Sequence, residues 1–259
     1  MPPVGPSAFG TLLRHFRGQR GMSQLALATR VETTTRHLSY VENGRSRPGR
    51  DLVLRLAQAL DVPLRTQNDL LVAAGLPAEF PTHALESVPL APYRRAIEGV
   101  ITALDPFPAF VIDPLFNLER VNEMGRRLLP ASTGARANLL DLFLAPGPAR
   151  ALLENFSELA WSLEARLSRS TASMRVSPEL GALRERVDGY LRGVPRPPPG
   201  AGGELVVCPT FRIGDVLVRT VGMTLRFGPS RDVTLEELSV DVLYPRDEAA
   251  DRFFRSLAA

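Results

Sequence analysis

A proline-rich interruption between residues 75 and 92 constrains the fold most, because it separates two stretches with different patterns. The stretch GLPAEFPTHALESVPLAP holds four prolines and has no regular apolar spacing, which is typical of a linker. Before it, apolar residues recur at helical spacing, whereas helical and strand-like segments are mixed after it. We therefore predict an α+β protein of two domains, residues 1–76 and 93–259, joined by a linker at residues 77–92.

The first domain is predicted to contain five short helices. The first would run from about Ser7 to Gln19. Ser23 and Thr34 are suitable N-caps for the second and third helices. Proline is well tolerated at the start of a helix, so Pro48 and Pro63 predict the starts of the fourth and fifth helices.

Positive charge is concentrated in this domain. From Arg14 to Arg50 the chain has eight arginines and two glutamates, whereas the net charge of the whole protein is only +3. A basic segment joined to a less basic remainder favours an anionic partner, and nucleic acid is the first candidate.

The stretch MSQLALATRVETTTRHLSYVENGRSRP, residues 22–48, predicts a helix, a tight turn and a second helix flanked by arginines. This arrangement lays the second helix in the major groove of DNA. Side chains at the start of that helix would meet base edges, whereas the preceding helix start and the following arginines would contact phosphates. The predicted DNA-binding residues are Gln24, Thr34, Thr35, Arg36, His37, Arg45 and Arg47.

Several of these residues have an alternative role that needs no DNA. Thr34 could serve only as a helix cap, His37 could face solvent, and Arg45 and Arg47 could lie in a solvated loop. We expect Glu42 to pair with Arg14 or Arg17, because its negative charge disfavours contact with DNA.

The same residues resemble the Xre/Cro-like helix-turn-helix family, in the Ser-Gln pair at Ser23 and in the exit VENGRSRP. The resemblance covers roughly Phe9 to Gly75. It implies an Xre-type domain that binds double-stranded DNA as one half of a homodimer. Glu32 stands where such proteins usually have a turn glycine, so it should adopt a left-handed backbone at a cost of about 1 kcal/mol.

The second domain has a strand, helix, strand order. Two short strands are predicted around a turn at Asp113 and Pro114, then several helices, one of them a single helix over residues 148–167. The later segments ELVVCPTF, DVLVRTVGMTLRF and TLEELSVDVLYP have strand character. Five such strands most simply form one antiparallel sheet with helices on a face, and a cavity between them is a natural binding site.

The segments PFPAFVIDPLFNLERVNE and VTLEELSVDVLYPRDEA, with the helical middle between them, are similar to the ligand-binding half of MmyB-like transcriptional regulators. The resemblance implies a PAS-like fold and an apolar effector, such as an acyl or fatty-acid-like molecule.

Strand alternation suggests ligand-binding residues in this domain. In DVLVRTVGMTLRF, Arg219 shares a face with an apolar set that includes Met223. If that face points inward, Arg219 needs a partner, which could be a ligand carboxylate or an acidic residue of the domain. Arg120 is a second candidate for the same reason. Phe156 and Trp161, on the predicted middle helix, could line the cavity or simply pack in the core.

The composition argues against an enzyme. With three histidines and one cysteine, a metal site or a histidine-based acid–base system is hard to assemble. The chain has no phosphate-cradling loop and no GxSxG elbow. We expect no catalytic site, metal or cofactor.

The sequence also lacks a recognisable secretion signal and a long apolar span, so we expect a cytoplasmic protein with no membrane partner. The predicted function is a sequence-specific transcriptional regulator controlled by an apolar effector. The alternative is a constitutive DNA binder whose second domain is a ligand-free interaction or dimerisation module.

Overall fold

The computed structural model describes residues 7–130, 137–172, 177–198 and 206–258. The chain divides into two compact units, and the division falls between Thr82 and His83. The first unit also contains Ser230–Glu236, a segment from late in the chain.

The first unit contains the five helices expected from the sequence. Ser7, Ser23 and Thr34 cap the first three, each accepting a backbone N–H through its side-chain oxygen. Leu13, Leu38 and many other apolar side chains of these helices form one buried core. The helices are α1 Ala8–Gln19, α2 Gln24–Arg30, α3 Thr35–Glu42, α4 Arg50–Ala59 and α5 Leu64–Ala73.

The turn between α2 and α3 confirms the expectation for Glu32. Its φ is +53°, in the left-handed region. This conformation ends α2 tightly, because the N–H of Thr33 donates to the carbonyl of Ala28 at 2.9 Å. The Glu32 side chain is exposed, so the strain of a non-glycine residue is not increased by burial of its charge.

The second unit is built on the expected five-stranded antiparallel sheet, which is PAS-like. Its strand order is β2-β1-β5-β4-β3. The predicted turn at Asp113 is confirmed, since its Oδ1 accepts the N–H groups of Leu115 and Asn117. The strands are β1 Ala109–Ile112, β2 Leu118–Val121, β3 Thr210–Ile213, β4 Val216–Arg226 and β5 Ser239–Pro245.

Eight α-helices in the described part of the chain follow α5, together with a short 3-10 helix at Val88–Leu90. The α-helices are α6 Ala91–Ala103, α7 Glu123–Leu128, α8 Leu139–Leu144, α9 Pro148–Ala151, α10 Phe156–Ser170, α11 Pro178–Leu191, α12 Val233–Glu237 and α13 Glu248–Ala258.

The two faces of the sheet are covered differently. On one face, side chains such as Phe110 and Leu243 join a large core with α8, α10 and α11. On the other face, Ile97 and Ile101 of α6 pack against Val111 and its neighbours on β1 and β5. On β4 this second face is open, and its apolar side chains are exposed. The exposed set is Val221, Met223 and Leu225.

Three predicted elements differ from the structure for local reasons. The single helix over residues 148–167 is two helices, because the chain at Leu153 pairs with β3 at Phe211. TLEEL is helical, since Asp232 accepts the N–H of Leu235 and starts α12. In ELVVCPTF, residues 204–205 lie outside the described residues, residues 206–209 are not a strand, and β3 begins at Thr210.

Candidate functional site

The start of α3 presents the side chains predicted to meet DNA bases. Thr34 caps the helix, and its Oγ1 accepts the N–H of His37 at 3.0 Å. Thr34 and Arg36 are exposed, whereas Thr35 and His37 are partly exposed. The predicted cap is confirmed, and all four side chains belong to one helix start in the first unit.

Arg36 lies along its own helix. Its Nε donates to the hydroxyl of Tyr40 at 3.0 Å, and its guanidinium carbon is 5.4 Å from the centre of the Tyr40 ring. An arginine has five N–H donors, so this contact leaves the terminal Nη groups able to bind a base edge. Tyr40 therefore holds the guanidinium in position without using all of its donors.

Arg45 and Arg47 are exposed in the loop after α3. The loop turns sharply, since Gly44 has a φ of +71° and the N–H of Arg45 donates to the carbonyl of Tyr40 at 2.8 Å. Within the described residues, Arg36, Arg45 and Arg47 form no ion pair with an acidic side chain. We call these three residues the cationic surface.

A buried carboxylate fixes the helices behind this surface. Glu42 is fully buried, and Arg17 donates to it through Nε at 2.7 Å and Nη2 at 3.1 Å. The predicted pairing of Glu42 is thus confirmed for Arg17, whereas Arg14 donates to the carbonyl of Gly10. Gln24 also donates to Glu42, at 2.7 Å, which fixes its side chain and leaves its second amide N–H for a phosphate.

The second unit holds a cavity of about 220 Å³ between α8, α10 and the sheet. Most of its wall is apolar. The apolar side chains around it include Phe110, Leu139, Phe143, Leu159, Leu163 and Leu243. Cys208 also lines it, with its Sγ accepting the N–H of Gly222 at 3.0 Å.

One end of the cavity is polar. Arg166 of α10 donates to both carboxylate oxygens of Asp241 on β5, and the Nη2 to Oδ1 distance is 2.8 Å. Thr224 of β4 donates to the same Oδ1 at 2.9 Å. Arg169, one turn further along α10, is exposed at the cavity and has no ion pair within the described residues. The cavity is therefore amphipathic, with cations at one end.

The prediction that Arg219 points into an apolar chamber is wrong. Arg219 is exposed, and its Nη1 donates to Asp247 at 3.3 Å. The pKa of Asp247 is lowered, chiefly because its carboxylate accepts the N–H of Ala250 and also because Arg219 lies beside it. Met223 borders the cavity but belongs to the same outward-facing set, with 44% of its surface exposed. The alternation along β4 was correct, but the apolar set lies on the open face.

Arg120 is also on the face away from the cavity. It lies opposite Val111, which packs toward α6, and it pairs with Glu86. Arg219 therefore has the acidic partner within the domain that was given as its alternative, whereas the partner of Arg120 lies in the predicted linker.

Phe156 and Trp161 pack at the edge of the large core and are not among the residues around the cavity. The guanidinium carbon of Arg150 lies 3.9 Å from the Phe156 ring centre. The indole N–H of Trp161 donates to the carbonyl of Pro195 at 3.1 Å. Ordinary packing, the alternative for these two aromatics, describes both.

Apart from Met223, the residues around the cavity were not predicted from the sequence, because the candidate arginines were those on strands. A usable signal was present on α10, where Leu159, Leu163 and Arg166 recur at helical spacing. Asp241 was a second signal in the sequence, since it lies in a strand and the residues on either side of it are apolar. A charged residue in such a strand requires a buried partner, and Arg166 supplies it.

Two family models match the chain. A helix-turn-helix domain model matches residues 8–71. A model described as "MmyB-like transcription regulator ligand binding domain" matches residues 93–257, more than half of the chain. The chain belongs to the MmyB-like transcription regulators. No curated protein matches it.

Each of the two candidate sites of this MmyB-like regulator lies within one of the family matches. The α2–α3 pair and the cationic surface lie within the helix-turn-helix match, and every residue around the cavity lies within the ligand-binding match. The protein is therefore a transcription regulator with a ligand-binding domain, a class that is usually not enzymatic.

Among the described residues, no group of three or more His, Cys, Asp or Glu side chains could hold a metal ion. No helix in the same part of the chain has both the length and the apolar character needed to cross a membrane.

Proposed function

We propose that this MmyB-like regulator is a cytoplasmic, Xre-type protein that binds a specific DNA sequence as a homodimer and responds to an apolar, fatty-acid-like effector. The observation that carries the DNA-binding part is the cationic surface, three exposed arginines without acidic partners in the described chain, one at the start of α3 and two in the loop that follows it. We further propose that the predicted domain boundaries, 1–76 and 93–259, apply to these two activities.

The position of each predicted DNA-binding residue suggests which part of the DNA it would contact. Residues at the start of α3, Thr34 to His37, would enter the major groove, where Arg36 can bind a guanine through its free Nη donors. Gln24, Arg45 and Arg47 would contact phosphates, which add affinity without selecting a sequence. A second copy would present the same surface to a half-site about 34 Å away.

The class of effector follows from the cavity. Its apolar wall would take a hydrocarbon chain, whose burial contributes about 0.8 kcal/mol per CH₂ group. Arg169 at the mouth and Arg166 inside could bind a carboxylate, because guanidinium and carboxylate form paired hydrogen bonds. To switch DNA binding, the effector must bind the DNA-competent and incompetent states with different affinity.

A second candidate function is favoured by the fact that Arg166 already has an acidic partner. Because Arg166 and Asp241 already pair with each other, the cavity needs no ligand to satisfy its buried charges. In that case the second domain would be a ligand-free interaction module on a constitutive DNA binder.

One experiment separates the two candidates. Dodecanoate binding to the full-length protein is measured by titration calorimetry, and native mass spectrometry tests for a co-purifying acyl compound. We expect Ser162→Trp, which fills the cavity from a partly exposed position on α10, to weaken dodecanoate binding at least about 10-fold. Val221→Trp, on the open face of β4, is the control and should bind normally.

DNA affinity is measured on the same variants with an operator selected from random duplexes. Both variants should retain it. Equal binding of dodecanoate to Ser162→Trp and wild type would show that the cavity is not the effector site, and an absence of binding to all three would favour the ligand-free module.

A further inference from the structure

The connection between β4 and β5 contains a segment, Ser230–Glu236, that packs within the first unit. We call it the β4–β5 insertion. Val233 in it is fully buried, and Leu235 is only 5% exposed. The family match assigns this stretch to the ligand-binding domain, yet the stretch belongs to the compact unit that contains the DNA-binding helices.

The insertion supplies the missing cap of a helix in that unit. α5 begins at Leu64 after Pro63, which provides no side-chain hydrogen bond to the helix start. Instead, Glu236 accepts the N–H of Leu64 at 2.7 Å. A carboxylate at this position satisfies an unpaired N–H and interacts favourably with the helix dipole. The N–H of Val233 also donates to the carbonyl of Pro81 at 2.9 Å.

The connection that contains the insertion joins β4 to β5, and residues of both strands line the cavity. Thr224 on β4 lies opposite Asp241 on β5, and their side chains are hydrogen-bonded. The two strand pairs between this contact and the connection are Leu225 with Val240 and Arg226 with Ser239. The polar end of the cavity is therefore only two residue pairs from the start of the connection.

The contact at Asp241 depends on what else Arg166 binds. Arg166 donates two hydrogen bonds to Asp241. An anionic head group that enters the cavity would compete with Asp241 for those donors. Its binding would change the hydrogen bonds of a residue that joins β4 to β5, near the connection that contains the insertion.

We propose that the β4–β5 insertion transmits effector binding from the cavity to α5 of the DNA-binding unit. A ligand at Arg166 alters the Asp241–Thr224 contact, the ends of β4 and β5 shift, and Glu236 caps α5 differently. Glu236 is a positioning residue in this scheme. The inference rests on the proposed function, because it requires an effector in the cavity and DNA on the first unit.

The test uses the full-length chain, the selected operator and dodecanoate as the probe. Saturating dodecanoate should change the DNA affinity of the wild type by about 5-fold or more, the range typical of allosteric coupling. Glu236→Ala should bind dodecanoate and DNA separately, but dodecanoate should change its DNA affinity by less than about 2-fold. Glu236→Gln, which keeps an acceptor for Leu64, should restore the wild-type ratio.

Arg231→Gln is the matched control. Arg231 is an exposed residue of the same insertion, and its substitution should leave the ratio unchanged. A wild-type ratio in Glu236→Ala would overturn the role of the insertion. A wild-type protein that binds both ligands without any coupling would contradict the proposed regulation itself.

Hydrogen exchange tests the insertion separately from the identity of the effector. Without ligand, Asp241→Asn weakens the contact with Arg166, so amides in the first turn of α5 should exchange at least about 5-fold faster than in wild type. Amides of α1 should be unaffected. Thr224→Val, which removes the other bond to Asp241, should act in the same direction. Unchanged exchange in α5 in both variants would refute transmission through the insertion.

Discussion

At the scale of single residues, one glycine in the first unit stands where a side chain would not fit. Gly10 on α1 is buried, and a Cβ placed on it would lie 2.0 Å from the carbonyl oxygen of Glu42 and 2.6 Å from its carbonyl carbon. Both atoms are backbone and cannot rotate away. Gly10 therefore allows α1 to approach the end of α3, where Arg17 and Glu42 pair.

We expect Gly10→Ala to destabilise the protein by about 3 kcal/mol, because a backbone clash forces the two helices apart. Gly18→Ala on the same helix is the control, since no atom lies within 4 Å of its added Cβ. It should stabilise the helix by about 0.5–1 kcal/mol. Urea unfolding followed by circular dichroism measures both, and equal stability of the two variants would show that the close approach is not needed.

At the scale of elements, the sequence predicted the short-range features and missed those set by distant partners. Caps at Ser23 and Thr34 were predictable, because a cap is decided within one helical turn. The break between α9 and α10 was not, since it follows from pairing with β3 more than fifty residues later, as the bridge from Leu153 to Phe211 shows. The alternation on β4 was predictable, but which face is covered depends on where α6 packs.

The candidate site was predictable to a similar extent. The residues of α3 and its following loop lie where the helix-turn-helix pattern put them, because that pattern is contiguous in sequence. The polar end of the cavity joins Arg166 to Asp241, 75 residues apart. The local sequence around either residue does not indicate that the other is its partner.

The DNA-binding elements should differ in what they contribute. Arg36→Ala, on α3, should relax the preference at particular bases by about 1–3 kcal/mol. Arg47→Ala, in the following loop, should weaken binding to all sequences and lower the slope of log affinity against log salt by about 1. Selection of bound duplexes followed by salt titration distinguishes these effects. Indistinguishable behaviour of the two variants would contradict the assigned roles.

At the scale of the whole molecule, the compact units do not follow the order of the chain. Glu236 caps a helix that begins 172 residues earlier. A division by sequence alone assigns residues 230–236 to the second domain, because every neighbouring residue along the chain belongs there. The first unit therefore depends on residues that a fragment of the N-terminal region would lack.

A fragment of residues 1–82 should consequently be less stable than the same unit in the full chain. It loses the cap on α5. It also loses the burial of Val233 and Leu235, and burying each of these two side chains contributes about 1.5–3 kcal/mol. We expect its α5 amides to exchange faster than those of the full-length protein. Leu235→Asp in the full chain should reproduce part of this effect, whereas Arg231→Gln should not. Identical exchange in the fragment and the full chain would show that the insertion adds no stability.

The position of Cys208 has a chemical consequence. The sequence contains one cysteine. It lies in the wall of the cavity, and its Sγ accepts a hydrogen bond from the N–H of Gly222. Any thiol-specific electrophile that reaches the cavity therefore has a single target in the protein. Its adduct would occupy the volume proposed for the effector and release that amide, so that covalent damage and effector occupancy would compete for the same space.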